Sequence, residues 1–145
     1  MISKYVPVRF QRFVSVGAVG FVIEAIVLQA LVSFLHLHAF VALLIAFAVA
    51  VTVTWLLNRS YTFAVKKPHN LVEWFKYTGV NSAGGVIHLV VYGALVFYFP
   101  VLQQYPLIPL VISSAVAAIF NYSMSANVVF GKESSTSIEV NKRKG

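Results

Sequence analysis

Long apolar runs alternate with short polar ones along this chain, at about residues 13–35, 39–57, 75–99 and 107–130. At a rise of about 1.5 Å per residue, some 20 apolar residues cross a bilayer core about 30 Å thick, so each run predicts a transmembrane helix. The interruptions order them. His36 and His38 fall in a turn of a few residues, which makes the first two runs a helical hairpin. Residues 58–70 form a central loop with Lys66, Lys67 and Pro68 as its breaker. Residues 100–109 hold three prolines and predict an irregular or re-entrant connection. Residues 1–12 are polar and basic, with Pro7 opposing helix, and read as an interfacial arm. Residues 132–145, rich in Ser, Thr, Lys and Glu, read as a disordered basic tail. The predicted fold is all-α: one four-helix transmembrane domain over residues 1–131, followed by a cytoplasmic tail.

Charge placement adds direction. All eleven Lys and Arg residues lie on one side of the predicted spans: three before the first, four between residues 59 and 76, and four between residues 132 and 144. Loops rich in Lys and Arg stay cytoplasmic, so both termini and the central loop are expected inside (N-in/C-in). This explains the net charge of +7 without nucleic acid. A chain 59% hydrophobic and 10% charged excludes a soluble domain. The first run lacks a small-residue cleavage site and is too long for a signal peptide, so it is expected to remain. With no cysteine, disulfides and thiolate metal sites are excluded. The histidines lack metal-ligand spacing, and Gly84-Gly85 lies inside a span without a P-loop lysine. No metal, cofactor or enzymatic activity is therefore expected. Trp55, Tyr61, Trp74 and Tyr77 fit an aromatic belt at the membrane boundary.

The chain also repeats itself. Shifted by 64 residues, positions 12–31 fall on 76–95 with identities at Val16, Gly20, Val22, Ile23, Val27, Ala30 and Leu31. Arg12 meets Lys76 and Phe13 meets Tyr77. Two hairpins that each begin and end in the cytoplasm predict parallel repeats about an axis along the membrane normal.

One residue violates the apolar pattern. Glu24 lies about 17 Å beyond Phe13 at helical rise, near the bilayer centre, where a carboxylate costs about 2.5–3.5 kcal/mol. Gly17, Gly20 and Glu24 share a helix face, and the repeat sets Asn81, Gly84 and His88 on the equivalent face. Glu24 and His88 are thus repeat partners, expected as an intramembrane ion pair or proton-sharing pair. Ser114, Asn121 and Ser125 are predicted to line one face of the fourth span, which together with Asn81 could solvate a polar cargo or pack against a neighbouring helix. Four spans enclose little volume, so a homodimer or a lateral groove open to membrane lipids is expected in place of a central pore.

Three segments carry a resemblance. Arg12-Phe13-Val14-Ser15-Val16-Gly17, Asn58-Arg59-Ser60-Tyr61-Thr62-Phe63 and Glu73-Trp74-Phe75-Lys76-Tyr77, in this order, resemble the GtrA-like family from about residue 10 to residue 130. The resemblance implies a membrane protein that moves a polyprenyl-phosphate-linked sugar or its free carrier between leaflets, or that assists a membrane glycosyltransferase, in envelope polysaccharide modification. The phosphate-contacting set is then Arg59, Asn58, Arg12 and Lys76, since Arg offers bidentate charge-assisted contacts and Lys a compact charge. The second half departs from the pattern: aligning Phe130 with Phe63 gives Ser125-Ala126 where the first half has Asn58-Arg59. Two equivalent headgroup clamps are therefore not expected. The alternatives are a non-transporting scaffold that recruits a glycosyltransferase and a proton-coupled exporter of the small multidrug-resistance kind. The one-sided charge map argues against the exporter.

Overall fold

A computed structural model describes residues 7–105 and 107–131, with the side chains of residues 39 and 40 outside that description. The readings for residues 1–6 and for the tail from residue 132 lie outside the described residues. All four predicted helices form, and each is long and apolar enough to cross a membrane: α1 (Val8–Leu35), α2 (Ala39–Leu57), α3 (Leu71–Tyr98) and α4 (Leu107–Met124). Among the described residues there is no strand. The chain divides after Asn70 into two compact units, an α1/α2 hairpin and an α3/α4 hairpin.

Several boundaries differ from the sequence reading. Pro7 does not hold off the helix but starts it: its carbonyl accepts the N–H groups of Phe10 and Gln11 at 2.9 and 3.2 Å, so half of the expected arm belongs to α1. A proline there costs nothing, because the first turn has no carbonyl for its N–H groups. The helix stops at His36, which adopts left-handed geometry at φ 51° and donates its N–H to Leu31 O. The connection between α3 and α4 is more ordered than its prolines suggested. Pro100–Gln104 is a 3-10 turn, and Pro109 is buried within the first turn of α4, where no helical hydrogen bond is lost.

The expected central loop is also shorter. Asn58–Thr62 continues α2 as a π turn, and Ser125–Val129 does the same for α4. Each closes on an i+5 bond, Phe63 N–H to Asn58 O at 2.8 Å and Phe130 N–H to Ser125 O at 2.9 Å. The burial pattern supplies a reason. In the first unit Ala42, Ala46, Ala50, Thr54, Asn58 and Thr62 are buried at strict four-residue spacing. An α-helix overshoots one revolution by about 40° every four residues, and the larger π turn brings the row back onto the packed face. In the second unit Pro109, Ser113, Ala117 and Ser125 follow the same spacing. Their counterparts 67 positions earlier are Ala42, Ala46, Ala50 and Asn58. The three-residue difference from the offset of 64 is absorbed by the longer α3–α4 connection.

Both hairpins are held by close approach of small residues. Phe13, Val16 and Gly20 face α2, while Tyr77, Val80 and Gly84 face α4. A Cβ on Gly20 would overlap the Thr54 methyl group, and one on Gly84 would overlap the Asn121 amide. The outer surfaces keep their apolar side chains exposed, Phe21 at 73% and Phe34 at 81% among them, as lipid-facing helices do. Trp55 and Tyr77, expected in an aromatic belt, are instead buried at 7% and 1%.

Candidate functional site

The open end of the first hairpin gathers the basic residues. Phe13 and Phe63 pack edge to face with centroids 6.4 Å apart, which fixes the start of α1 against the π turn of α2. Arg12, next to Phe13, therefore lies over that turn. Its guanidinium donates to Tyr61 O at 3.2 Å and sits 4.8 Å from the centre of the Tyr61 ring. Arg59, on the same turn, donates from Nη2 to the carbonyl of Lys67. A ring and two backbone carbonyls thus fix the direction of both guanidinium groups. Ser60 directs its hydroxyl back to Leu56 O at 2.8 Å and leaves the outer side of the turn to Arg59 and Tyr61.

Asn58 has a different role from the one expected. It is 1% exposed, and its amide oxygen accepts the Thr62 hydroxyl at 2.7 Å. A buried amide bonded within its own turn helps to shape that turn. Lys76, the repeat counterpart of Arg12, is exposed on α3 in the second unit. Ala126 and Val128 stand there at the positions equivalent to Arg59 and Tyr61, so the second hairpin lacks both the second guanidinium and the ring.

Glu24 is half-buried on α1, on the face of Phe13, Val16 and Gly20. His88 is half-buried on α3 at the equivalent position, its ring 6.4 Å from that of Tyr92. Gly17, expected beside Gly20 at a close helix crossing, is exposed with open space where its Cβ would be. Asn81, its counterpart, donates to Tyr77 O at 2.9 Å. Asn121 and Ser125 lie on the packed side of α4 and its π turn, and neither Asn121 Oδ1 nor Ser125 Oγ has a hydrogen-bond partner in the structure. The face of α4 differs from the predicted one: Ser113 is fully buried and donates to Pro109 O at 2.7 Å, whereas Ser114 is exposed.

The Tyr61 ring was the residue missed by its chemistry. Its place near a helix end suggests a membrane anchor, and only the fold shows Arg12 above it. Tyr61→Ala is expected to weaken anion binding at this end about two- to fivefold, in line with about 0.5–1 kcal/mol for an exposed cation–π contact. Tyr61→Phe keeps the ring and is expected to bind as the parent does, measured by titration with a short-chain polyprenyl phosphate.

These features define a multi-pass membrane protein made of two helical hairpins on one plan, with its paired guanidinium groups on only one of them. A model of the GtrA/DPMS transmembrane domain matches residues 12–139, and the chain belongs to that family. No curated protein sequence matches it.

Proposed function

We propose that the protein moves a polyprenyl-phosphate-linked sugar, or its free lipid carrier, across the cytoplasmic membrane for envelope polysaccharide modification, with no covalent step of its own. The observation that carries this reading is the gathering of Arg12 and Arg59 at the π turn that forms the open end of the first hairpin. Family membership supports it, because the match covers both hairpins. A phosphate monoester or diester needs fixed N–H donors and positive charge, and a guanidinium supplies both in one plane. The prenyl tail needs only the apolar outer helix faces, which the bilayer already bathes. Lys76 adds a second, weaker attraction at the cytoplasmic surface.

Glu24 is the gate in this reading, a carboxyl within a membrane-spanning helix that takes up and releases a proton as the polar headgroup passes. A membrane glycosyltransferase that consumes the delivered lipid is the natural partner. Reconstitution of the protein in liposomes with a fluorescent polyprenyl phospho-sugar tests the reading. Movement between leaflets is expected, and Glu24→Gln should abolish it while leaving headgroup binding intact. Binding without movement, with or without the glycosyltransferase, would instead make the protein a scaffold.

A further inference from the structure

The face of α2 opposite its packed row of Ala42, Ala46, Ala50 and Thr54 is indented. A groove of about 520 Å³ is lined there by Leu44, Ile45, Ala48, Val49, Thr52 and Val53, a volume within the range of about 300–1,000 Å³ usual for ligand sites. Ala48, the smallest of the six, leaves room that larger side chains on the neighbouring turns enclose. Ile45, Val49, Thr52 and Val53 are branched at Cβ and keep few rotamers in a helix, so the walls are stiff. Thr52, the only polar residue of the six, turns its hydroxyl back to Ala48 O at 2.7 Å, which keeps the lining apolar. Seven residues make close to two helical turns. Ile45, Thr52 and Arg59 therefore stand almost in line, with about 10 Å of helix between Thr52 and the arginine of the π turn.

We propose that this groove seats the first isoprene units of a prenyl chain whose phosphate is held at Arg59. The proposal rests on the headgroup reading of Arg59 and adds the subsite for the tail. Continuity along one helix carries it. A lipid anchored by its phosphate at the π turn sends its chain toward the bilayer centre, and the groove is an apolar track on that line. Shape then selects the occupant. Lipid is as apolar as the helix, so burial from water gives no preference and only close packing can. A prenyl chain carries a methyl branch and a rigid double bond in every unit. It fills an indentation beside Ala48 that a straight saturated chain bridges, and it loses less freedom on being held by stiff walls. The seated chain in turn keeps the phosphate near the guanidinium, because two linked contacts raise each other's effective concentration.

The test compares farnesyl phosphate with dodecyl phosphate, which has the same backbone length but neither branches nor double bonds. Native mass spectrometry of the full-length chain in detergent micelles measures both affinities. The parent is expected to bind farnesyl phosphate several-fold more tightly. Ala48→Trp, on an exposed position, fills the groove and should erase that preference while dodecyl phosphate still binds; the milder Ala48→Leu should reduce it. Ala115→Trp, at the exposed counterpart of Ala48 in the second hairpin, should leave it unchanged. Arg59→Ala should weaken both probes by the same factor and preserve their ratio. A farnesyl phosphate with a photoreactive diazirine in its chain should label residues 44–53. Equal affinities in the parent, or label spread over all four helices, would overturn the groove and leave the headgroup reading standing. A dimer that Ala48→Trp dissociates would assign the groove to a second copy and overturn the proposal as well. If the parent binds neither probe, the headgroup reading and the groove fall together.

Discussion

Arg59→Ala is expected to lower affinity for a short-chain polyprenyl phosphate by about 10- to 100-fold. A hydrogen bond to a charged group contributes about 1.5–3 kcal/mol, and each 1.4 kcal/mol is about a factor of ten. The large effect follows from where the residue sits. The π turn is fixed by the Phe63 N–H to Asn58 O bond and by the Thr62–Asn58 pair, so the guanidinium starts from a rigid base and little ordering entropy is lost on binding. Arg59→Lys keeps the charge but loses the planar fork and should fall between the parent and the alanine variant. Lys76→Ala is expected to change affinity about fivefold at most, since an exposed charge acts through solvent and contributes about 0–1 kcal/mol. Isothermal titration with the same probe ranks the variants. Equal losses for Arg59→Ala and Lys76→Ala would mean that the basic end attracts anions generally and that the pairing with Arg12 has no special part.

The helices were legible because bilayer thickness fixes their length and lipid fixes their composition; neither constraint depends on what packs against what. The repeat was legible for a related reason. The pairs Gly20/Gly84 and Phe13/Tyr77 mark the closest helix approach and the ring that locks each open end, and such positions accept few residue types. What the sequence hid was side-chain direction. Asn58 and Arg59 are neighbours in one motif, yet the π turn points one inward at 1% exposure and sends the other to the loop. An α-helical extrapolation cannot foresee that, because the change from four- to five-residue hydrogen bonding rotates every later side chain. The polar face of α4 also differs from the expected one, with Ser113 and not its neighbour Ser114 buried. Gly17 shows the opposite limit: its spacing from Gly20 implied close packing, but the helix crossing uses only one of the two.

The second large effect concerns the fold of each hairpin. Lipid is as apolar as the helices it surrounds, so a hairpin in a membrane is held by close contact and by polar groups between helices, not by hydrophobic exclusion from water. In the second hairpin the contact is Gly84 against the Asn121 amide, which fills the space a Cβ on the glycine would take. Gly84→Ala forces the two helices apart and is expected to cost about 1–3 kcal/mol, the usual range for overpacking. Gly85→Ala, one residue away with open space at its Cβ, is expected to be neutral or to stabilise by up to about 1 kcal/mol through helix propensity. Adding Asn121→Ala to Gly84→Ala removes the obstructing amide and should recover most of the loss, a coupling of about 1 kcal/mol or more in a double-mutant cycle. The first hairpin offers an independent version. Gly20→Ala meets the Thr54 Cγ2 methyl group, and Thr54→Ser deletes that methyl while keeping the hydroxyl that donates to Val51 O at 3.1 Å. Thermal unfolding followed by circular dichroism in detergent reads all of these variants. If Gly84→Ala melts with Gly85→Ala, or if Asn121→Ala adds its own loss instead of a rescue, close approach at Gly84 is not what holds α3 to α4.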